Sequence, residues 1–258
     1  MPRRLFVGTI ASMETTANLR GHTALVTGAG RRLGRAFAEA LARGGADIVV
    51  HFSGSRAGAE ETVSAARSHG VRAEAVQADL ADPQQAADLV GRGVDALGGI
   101  DLLVNSASIF EPIGVLDCSP EAWDRHLTVN LTAPFLLSQA FARHRAGRPG
   151  VIVNLLDWRA LRPGADHFPY TISKAALAAM TRSLALALAP TIRVNGLALG
   201  AILPPPDAQG SGESPPPGAP IDRWGTIDEV VQALLFLLTG PDFITGEILH
   251  LDGGRHLA

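Results

Sequence analysis

Apolar residues fall along this chain in two alternating patterns. Short, nearly continuous apolar runs occupy positions 23–27, 46–52, 72–78, 101–105, 151–155, 192–197 and 248–251. Runs of this length, rich in Val, Ile, Leu and Ala, predict strands buried on both faces. Between them the apolar positions recur at helical spacing, as at Leu33, Phe37, Ala40 and Leu41 within 33–43, which ends near Gly44-Gly45. The same period predicts helices over 58–69, over 83–97 entered through Asp82, over 120–144 as one long helix, and over about 170–188. Strands joined by helical crossovers lie parallel. The pattern therefore predicts one doubly wound α/β domain, with a predominantly parallel seven-stranded sheet flanked by helices.

Two segments break the regularity. Prolines and glycines dominate 203–220, including Pro204-Pro205-Pro206 and Pro215-Pro216-Pro217-Gly218, and such a stretch has little capacity for a packed helix. Only one helix and one strand follow it, so an insertion over an active-site edge fits better than a linker between domains. Residues 1–20 start with Arg3 and Arg4 and continue into an apolar run broken by Gly8 and Thr9, with no clear small-residue cleavage site. They are expected to form a flexible extension ahead of a domain over 21–258, and a cytoplasmic protein is the default.

Composition narrows the function classes. A chain of 258 residues, 47% hydrophobic and 18% charged, suits one enzyme domain and excludes disorder of the bulk. With 22 Lys and Arg against 25 Asp and Glu, the formal charge of -3 creates no general field for nucleic acid or anionic membrane. Arg143, His144, Arg145 and Arg148 form a local basic cluster whose simpler reading is the solvated end of a helix. No apolar run is long enough to span a bilayer. Cys118 is the single cysteine, which rules out an intrachain disulfide and a multi-cysteine metal site, and no metal is expected.

Candidate chemistry begins where the first strand meets the first helix, at Thr27-Gly28-Ala29-Gly30-Arg31-Arg32-Leu33-Gly34. Glycines allow a tight turn and close backbone approach, and a helix N-terminus favours a pyrophosphate. The spacing departs from the common dinucleotide fingerprint, but the strand-to-helix placement fits it. The second strand ends in His51-Phe52-Ser53-Gly54-Ser55-Arg56, where a carboxylate would hold a free adenosine ribose. Hydroxyls and Arg56 stand there instead, with Arg31 nearby, which favours NADPH over NADH because a 2′-phosphate is attracted to cations. Arg56 read as an ordinary surface residue remains open. Asp79-Leu80 after the third strand could address adenine or simply cap a turn, and Asn105-Ser106-Ala107-Ser108 follows the fourth strand on the same sheet edge. Tyr170, the single tyrosine, precedes Lys174 by four positions, which on a helix puts phenol and ammonium on one face.

With these motifs in order, the chain resembles the short-chain dehydrogenase/reductase family over roughly residues 21–254. The matching residues are Thr27 through Gly34, Asp79, Asn105 through Ala107, Asn130, Tyr170 with Lys174, and Thr245-Gly246 through Asp252-Gly253-Gly254. The resemblance implies a Rossmann-type domain, hydride transfer with NADPH/NADP+, and Tyr170 as proton donor. It further implies Lys174 as the electrostatic partner of Tyr170 and as a ligand of the nicotinamide ribose, and Asn130 as support for a proton-relay water. Gly28, Arg31, Arg32, Leu33, Gly34, His51, Phe52, Ser53, Ser55, Asp79, Leu80, Asn105, Ser106, Ala107 and Gly200 fall at cofactor-binding positions. A homotetramer or homodimer is also implied.

One departure is informative. The family usually has serine thirteen positions before the tyrosine, and here that position is Asp157. An ionised carboxylate only accepts hydrogen bonds and repels charge developing on a carbonyl oxygen. It suits a substrate protonated on nitrogen, or one whose amino and ring N–H groups need an acceptor. In this the chain is similar to the pteridine reductases and the short-chain-type dihydromonapterin and dihydrofolate reductases, which share the arginine before the Leu-Gly pair, the His-aromatic pair after the second strand and the serine matching Ser55. The resemblance implies Ser108 and Phe110 at the pterin ring, Arg32 reaching the cofactor and the pterin, and Asp157 and Tyr170 at the substrate. Gly54 replaces the usual arginine before that serine, and Leu199-Gly200 replaces Pro-Gly. These departures keep a reductase of another small carbonyl or imine open, and an NADP(H)-binding regulatory protein without catalysis is a third alternative. Taken alone, Phe110 could be a packing aromatic and Asp157 a cap.

Overall fold

The computed structural model describes residues 18–203 and 218–258. Most of the N-terminal extension and of the Pro/Gly-rich loop lies outside the described residues. Seven strands form one sheet: β1 (Thr23–Val26), β2 (Asp47–Phe52), β3 (Ala73–Gln77), β4 (Leu102–Asn105), β5 (Gly150–Asp157), β6 (Ile192–Leu199) and β7 (Ile248–Leu251). Their order is β3-β2-β1-β4-β5-β6-β7, and every neighbouring pair is parallel. The strand order therefore reverses direction between β1 and β4, and ligands of such sheets gather beyond the carboxyl ends at that switch point.

Helices cover both faces. The face bearing α1 (Arg32–Arg43), α2 (Arg56–Arg67) and α7 (Ile227–Thr239) buries Phe37, Leu41, Ile48, Val50 and Leu234. The opposite face, bearing α3 (Pro83–Leu97), α5 (Ala133–Arg145) and α6 (Phe168–Leu188), buries Leu25, Leu89, Leu103, Leu137, Phe141 and Ile152. Leu19 is buried in the first of these layers, so the chain is already packed at that point. The start of α3 follows its local signals: Asp82 accepts hydrogen bonds from the N–H groups of Gln84 and Gln85, and Pro83 opens the helix. Thr226 and Glu229 cap α7 reciprocally.

The single helix expected over 120–144 is instead two. α4 (Pro120–Leu127) leads through a π-helical turn (Thr128–Thr132) into α5. Pro134 sits in the first turn of α5 and has no N–H to give the carbonyl of Asn130 in the α register, and the wider turn accommodates this. Its effect is to carry Asn130 inward, where it is fully buried. Among the described residues no helix is long and apolar enough to cross a membrane.

Candidate active site

The turn between β1 and α1 is shaped by what its neighbours leave no room for. Gly28 adopts φ +67°, a left-handed conformation that favours glycine. A Cβ at Gly34 would overlap the carbonyl oxygen of Gly28, and one at Gly58 in α2 would overlap that of Gly30. Thr62 Oγ1 donates to Ala29 O at 3.0 Å, so α2 clamps the turn from behind. Gly58 and Thr62 went unnoticed in the sequence because their contacts run from α2 back to the turn after β1, about 30 residues earlier in the chain. The Arg31 side chain places no cap on α1, so the first N–H groups of that helix suit an anion. Arg31 and Arg32 are exposed beside them, and Arg32 adopts φ +52°. The donor set fits a dinucleotide pyrophosphate.

His51 is buried beneath this turn and ties three strand ends together. Its Nδ1 accepts the N–H of Gly28 at 3.1 Å, and its Nε2 lies 3.1 Å from Ala78 O, which assigns the ring proton to Nε2. Burial lowers its pKa to about 4, so the ring is neutral. Phe52 is also buried, with the Arg56 guanidinium 5.5 Å from its ring centroid. Ser53 is exposed and Ser55 half-buried at the N-terminus of α2. Asp79 accepts the N–H of Ala81 at 3.0 Å, and Leu80 is buried. Thr27 Oγ1 accepts the N–H groups of Ser106 and Ala107, both at 2.9 Å, which joins the β1 turn to the loop after β4. Asn105 Nδ2 donates to Asn154 Oδ1 at 2.8 Å, and Gly200 N–H donates to Leu251 O at 2.9 Å.

The catalytic candidates converge from three elements. β5 runs to Asp157, α6 presents Tyr170 and Lys174 on one face, and the π-helical turn presents Asn130. The Tyr170 hydroxyl donates to Asp157 Oδ2 at 3.0 Å. Lys174 Nζ donates to Leu155 O at 2.7 Å and lies 5.7 Å from the Tyr170 ring centroid. Burial, and then the neighbouring Asp157 carboxylate, push the phenol well above its ordinary pKa. Burial likewise raises Asp157, opposed by Arg159, Tyr170 and Lys174, and lowers Lys174 to about 8. Asn130 Oδ1 accepts from Ile109 N–H at 2.9 Å and from Ser108 Oγ at 3.1 Å, while its Nδ2 donates to Ile109 O and to Ser173 Oγ. Its side chain thus locks the loop carrying Ser108 and Phe110 to the helix carrying Tyr170.

Phe110 stands against this group. Its ring meets Tyr170 edge-on at 4.7 Å, lies parallel to His167 at 3.9 Å and has the Arg159 guanidinium 5.7 Å from its centroid. Asp166 Oδ2 bridges Arg159 at 2.7 Å and His167 at 2.9 Å. The Trp158 ring has the guanidinium of Arg159 at 4.8 Å and that of Arg255 at 4.4 Å from its centroid. Arg255 also lines a cavity of about 290 Å³ bounded by Ile202, Arg223, Glu229, His250 and Asp252. None of Trp158, Arg159, Asp166, His167 and Arg255 was singled out in the sequence. One signal was present: Pro169 announces a helix start, yet the position before Phe168 holds His167 in place of a capping Ser, Thr, Asp or Asn. The described residues contain no group of three His, Cys, Asp or Glu placed to hold a metal ion.

Comparison with known proteins agrees with this geometry. A family profile described as enoyl-(acyl carrier protein) reductase matches residues 28–256. The uncharacterized oxidoreductase YohF of Escherichia coli (strain K12) is 34% identical over 242 residues, 91% of this chain and 96% of that protein. The acetoin dehydrogenase YohF from Salmonella typhimurium superposes with a TM-score of 0.84 at 33% identity, covering 92% of this chain and 96% of that one. FolM alternative dihydrofolate reductase 1 from Brucella canis, complexed with NADP, superposes with a TM-score of 0.83 at 36% identity, covering 93% and 96%. With the matched profile spanning nearly the whole described domain and the Tyr170–Lys174 pair on the sheet edge where the glycine turn opens, the chain belongs to the short-chain dehydrogenase/reductase family.

Proposed function

We propose that this protein is an NADPH-dependent reductase of a dihydropteridine ring, of the dihydrobiopterin, dihydromonapterin or dihydrofolate type. The observation that carries the reading is Asp157, which stands where serine is usual and accepts the Tyr170 hydroxyl at 3.0 Å beside the Phe110 ring. NADP(H) is the cofactor: the β2 end carries Ser53, Ser55 and Arg56 in place of a carboxylate, and the similar Brucella canis enzyme holds NADP. When bound, NADPH supplies a hydride to a ring carbon. The protein's own residues supply the rest. Phe110 offers a flat stacking surface, and Asp157 accepts hydrogen bonds from ring and amino N–H groups. Tyr170, held protonated by burial, gives its proton directly or through Asp157 to the nitrogen of the reduced C=N bond. The Lys174 cation stabilises the phenolate left behind. Exposed Phe135 on α5 and Leu186 on α6 support the homodimer or homotetramer that the resemblance implies.

The test is loss of NADPH absorbance with dihydrobiopterin, dihydrofolate and diacetyl separately, in the native protein and in Asp157→Ser. Pteridine turnover is expected in the native protein, falling about 10- to 100-fold in the variant. Turnover of diacetyl without either pteridine would replace the reading with a small-carbonyl reductase. NADPH binding without any turnover would point to a noncatalytic protein.

A further inference from the structure

His167 is built into the substrate side of the site in a way its local sequence does not call for. It immediately precedes α6, at the position where a short polar side chain usually caps the helix, and it makes no side-chain cap. Its backbone is left-handed, at φ +53° and ψ +47°, a conformation that costs a residue with a Cβ on the order of 1 kcal/mol. Strain of this kind persists only where surrounding contacts hold it, and here they are identifiable. The imidazole lies 3.9 Å from Phe110 with only 8° between the ring planes, and its Nδ1 is 2.9 Å from Asp166 Oδ2. Asp166 is in turn fixed by Arg159 at 2.7 Å, whose Nε is buried without a hydrogen-bond partner.

The imidazole is itself a small flat nitrogen heterocycle, and it stacks on the aromatic platform facing the catalytic phenol. We infer that His167 is an internal occupant of the ring-stacking surface, displaced when a flat heteroaromatic substrate binds, and so sets how strongly this site selects flat rings. This rests on the reading that Phe110 stacks the substrate ring. Several features make the displacement feasible. The left-handed backbone gains by relaxing, Asp166 is exposed to solvent, and the half-buried ring is held by one stack and one hydrogen-bond contact to that exposed carboxylate. Because a substrate ring that takes the His167 face of Phe110 gives back that stack before forming its own, removing the imidazole should strengthen the binding of flat ligands and leave others unchanged.

The experiment uses the full chain saturated with NADP+ and titrates 2,4-diaminoquinazoline, a flat bicyclic probe, by calorimetry, so that it needs no turnover. His167→Asn keeps a residue that tolerates the left-handed backbone and removes the ring, whereas His167→Phe keeps a flat cover. Expected is a roughly 3- to 10-fold tighter probe in His167→Asn, the span of one aromatic stack, with no tightening in His167→Phe and NADP+ affinity unchanged in both. In the native protein and in His167→Asn, a matching fall in KM for dihydrobiopterin with kcat held within twofold extends the same result to the reaction. Equal or weaker probe binding in His167→Asn, or no binding to either protein, overturns the inference. Absence of pteridine turnover alongside tighter probe binding would instead remove only the pteridine reading. Should His167→Asn fold poorly, His167→Gly removes the ring and the backbone strain together and is read in the same way.

Discussion

The two halves of this site are made from different materials. Beyond β1, β2 and β3 the cofactor half is built from backbone: glycines whose missing Cβ atoms let carbonyls approach, strand ends joined through His51 and Thr27, and a helix N-terminus left uncapped. Its buried side chains are satisfied by backbone groups of neighbouring strand ends, as the two ring nitrogens of His51 illustrate. Beyond β4 and β5 the proposed substrate half is built from side chains: an aromatic stack, a phenol on a carboxylate, two guanidiniums near Trp158, an orphaned Arg159 Nε and a strained His167. A backbone cradle accepts one kind of ligand whatever the neighbouring side chains do. A side-chain wall changes its ligand as its side chains are substituted.

This contrast can be broken most sharply at the point where the halves meet. Tyr170→Phe removes the proposed proton donor and leaves the glycine turn intact. Its expected result is a 10²- to 10⁴-fold fall in kcat with NADPH affinity unchanged, measured by steady-state turnover and NADPH titration. A parallel loss of NADPH binding would show that the halves are not separable.

Acid should destabilise the fold through the ring beneath the glycine turn. Because the folded-state pKa of His51 is depressed to about 4 against an unfolded value near 6.5, the unfolded chain binds more protons between these limits. Stability is therefore lost as pH falls from about 6.5 toward 4, by on the order of 2–3 kcal/mol from this ring alone. Melting curves across that window should slope more steeply for the native protein than for His51→Asn, and equal slopes would reassign the acid sensitivity elsewhere. The mildest probe is Gly58→Ala, whose added Cβ meets the Gly30 carbonyl from behind the turn. It should weaken NADPH about tenfold while leaving kcat at saturating cofactor nearly unchanged, since it touches no residue of the substrate wall. A fall in kcat instead would mean that turn and wall move together.

Much of the framework that carries the proposed cofactor half was legible in the sequence because its causes are local. The apolar periods located each strand, the run from Thr27 to Gly34 fell between β1 and α1, and the four-residue spacing of Tyr170 and Lys174 did place them on one face of α6. The break of the 120–144 helix was less visible: Pro134 was there to be seen, but its consequence depends on which way the wider turn rotates Asn130. Asp157 stood out only as a departure from a family pattern, and its bond to Tyr170 depends on the register of β5 against α6.

Residue order by itself thus determined the α/β class, the alternation of strand and helix, the nucleotide turn and the Tyr-Lys pair, because hydrophobic period and helical spacing act over a few neighbouring residues. Tertiary structure alone decided that β1 lies beside β4, that His51 closes the turn against Ala78, and that Phe110, Arg159 and His167 meet beside Tyr170. These contacts join segments distant in sequence, and their geometry follows from how the whole sheet and its helices pack, which no local pattern encodes.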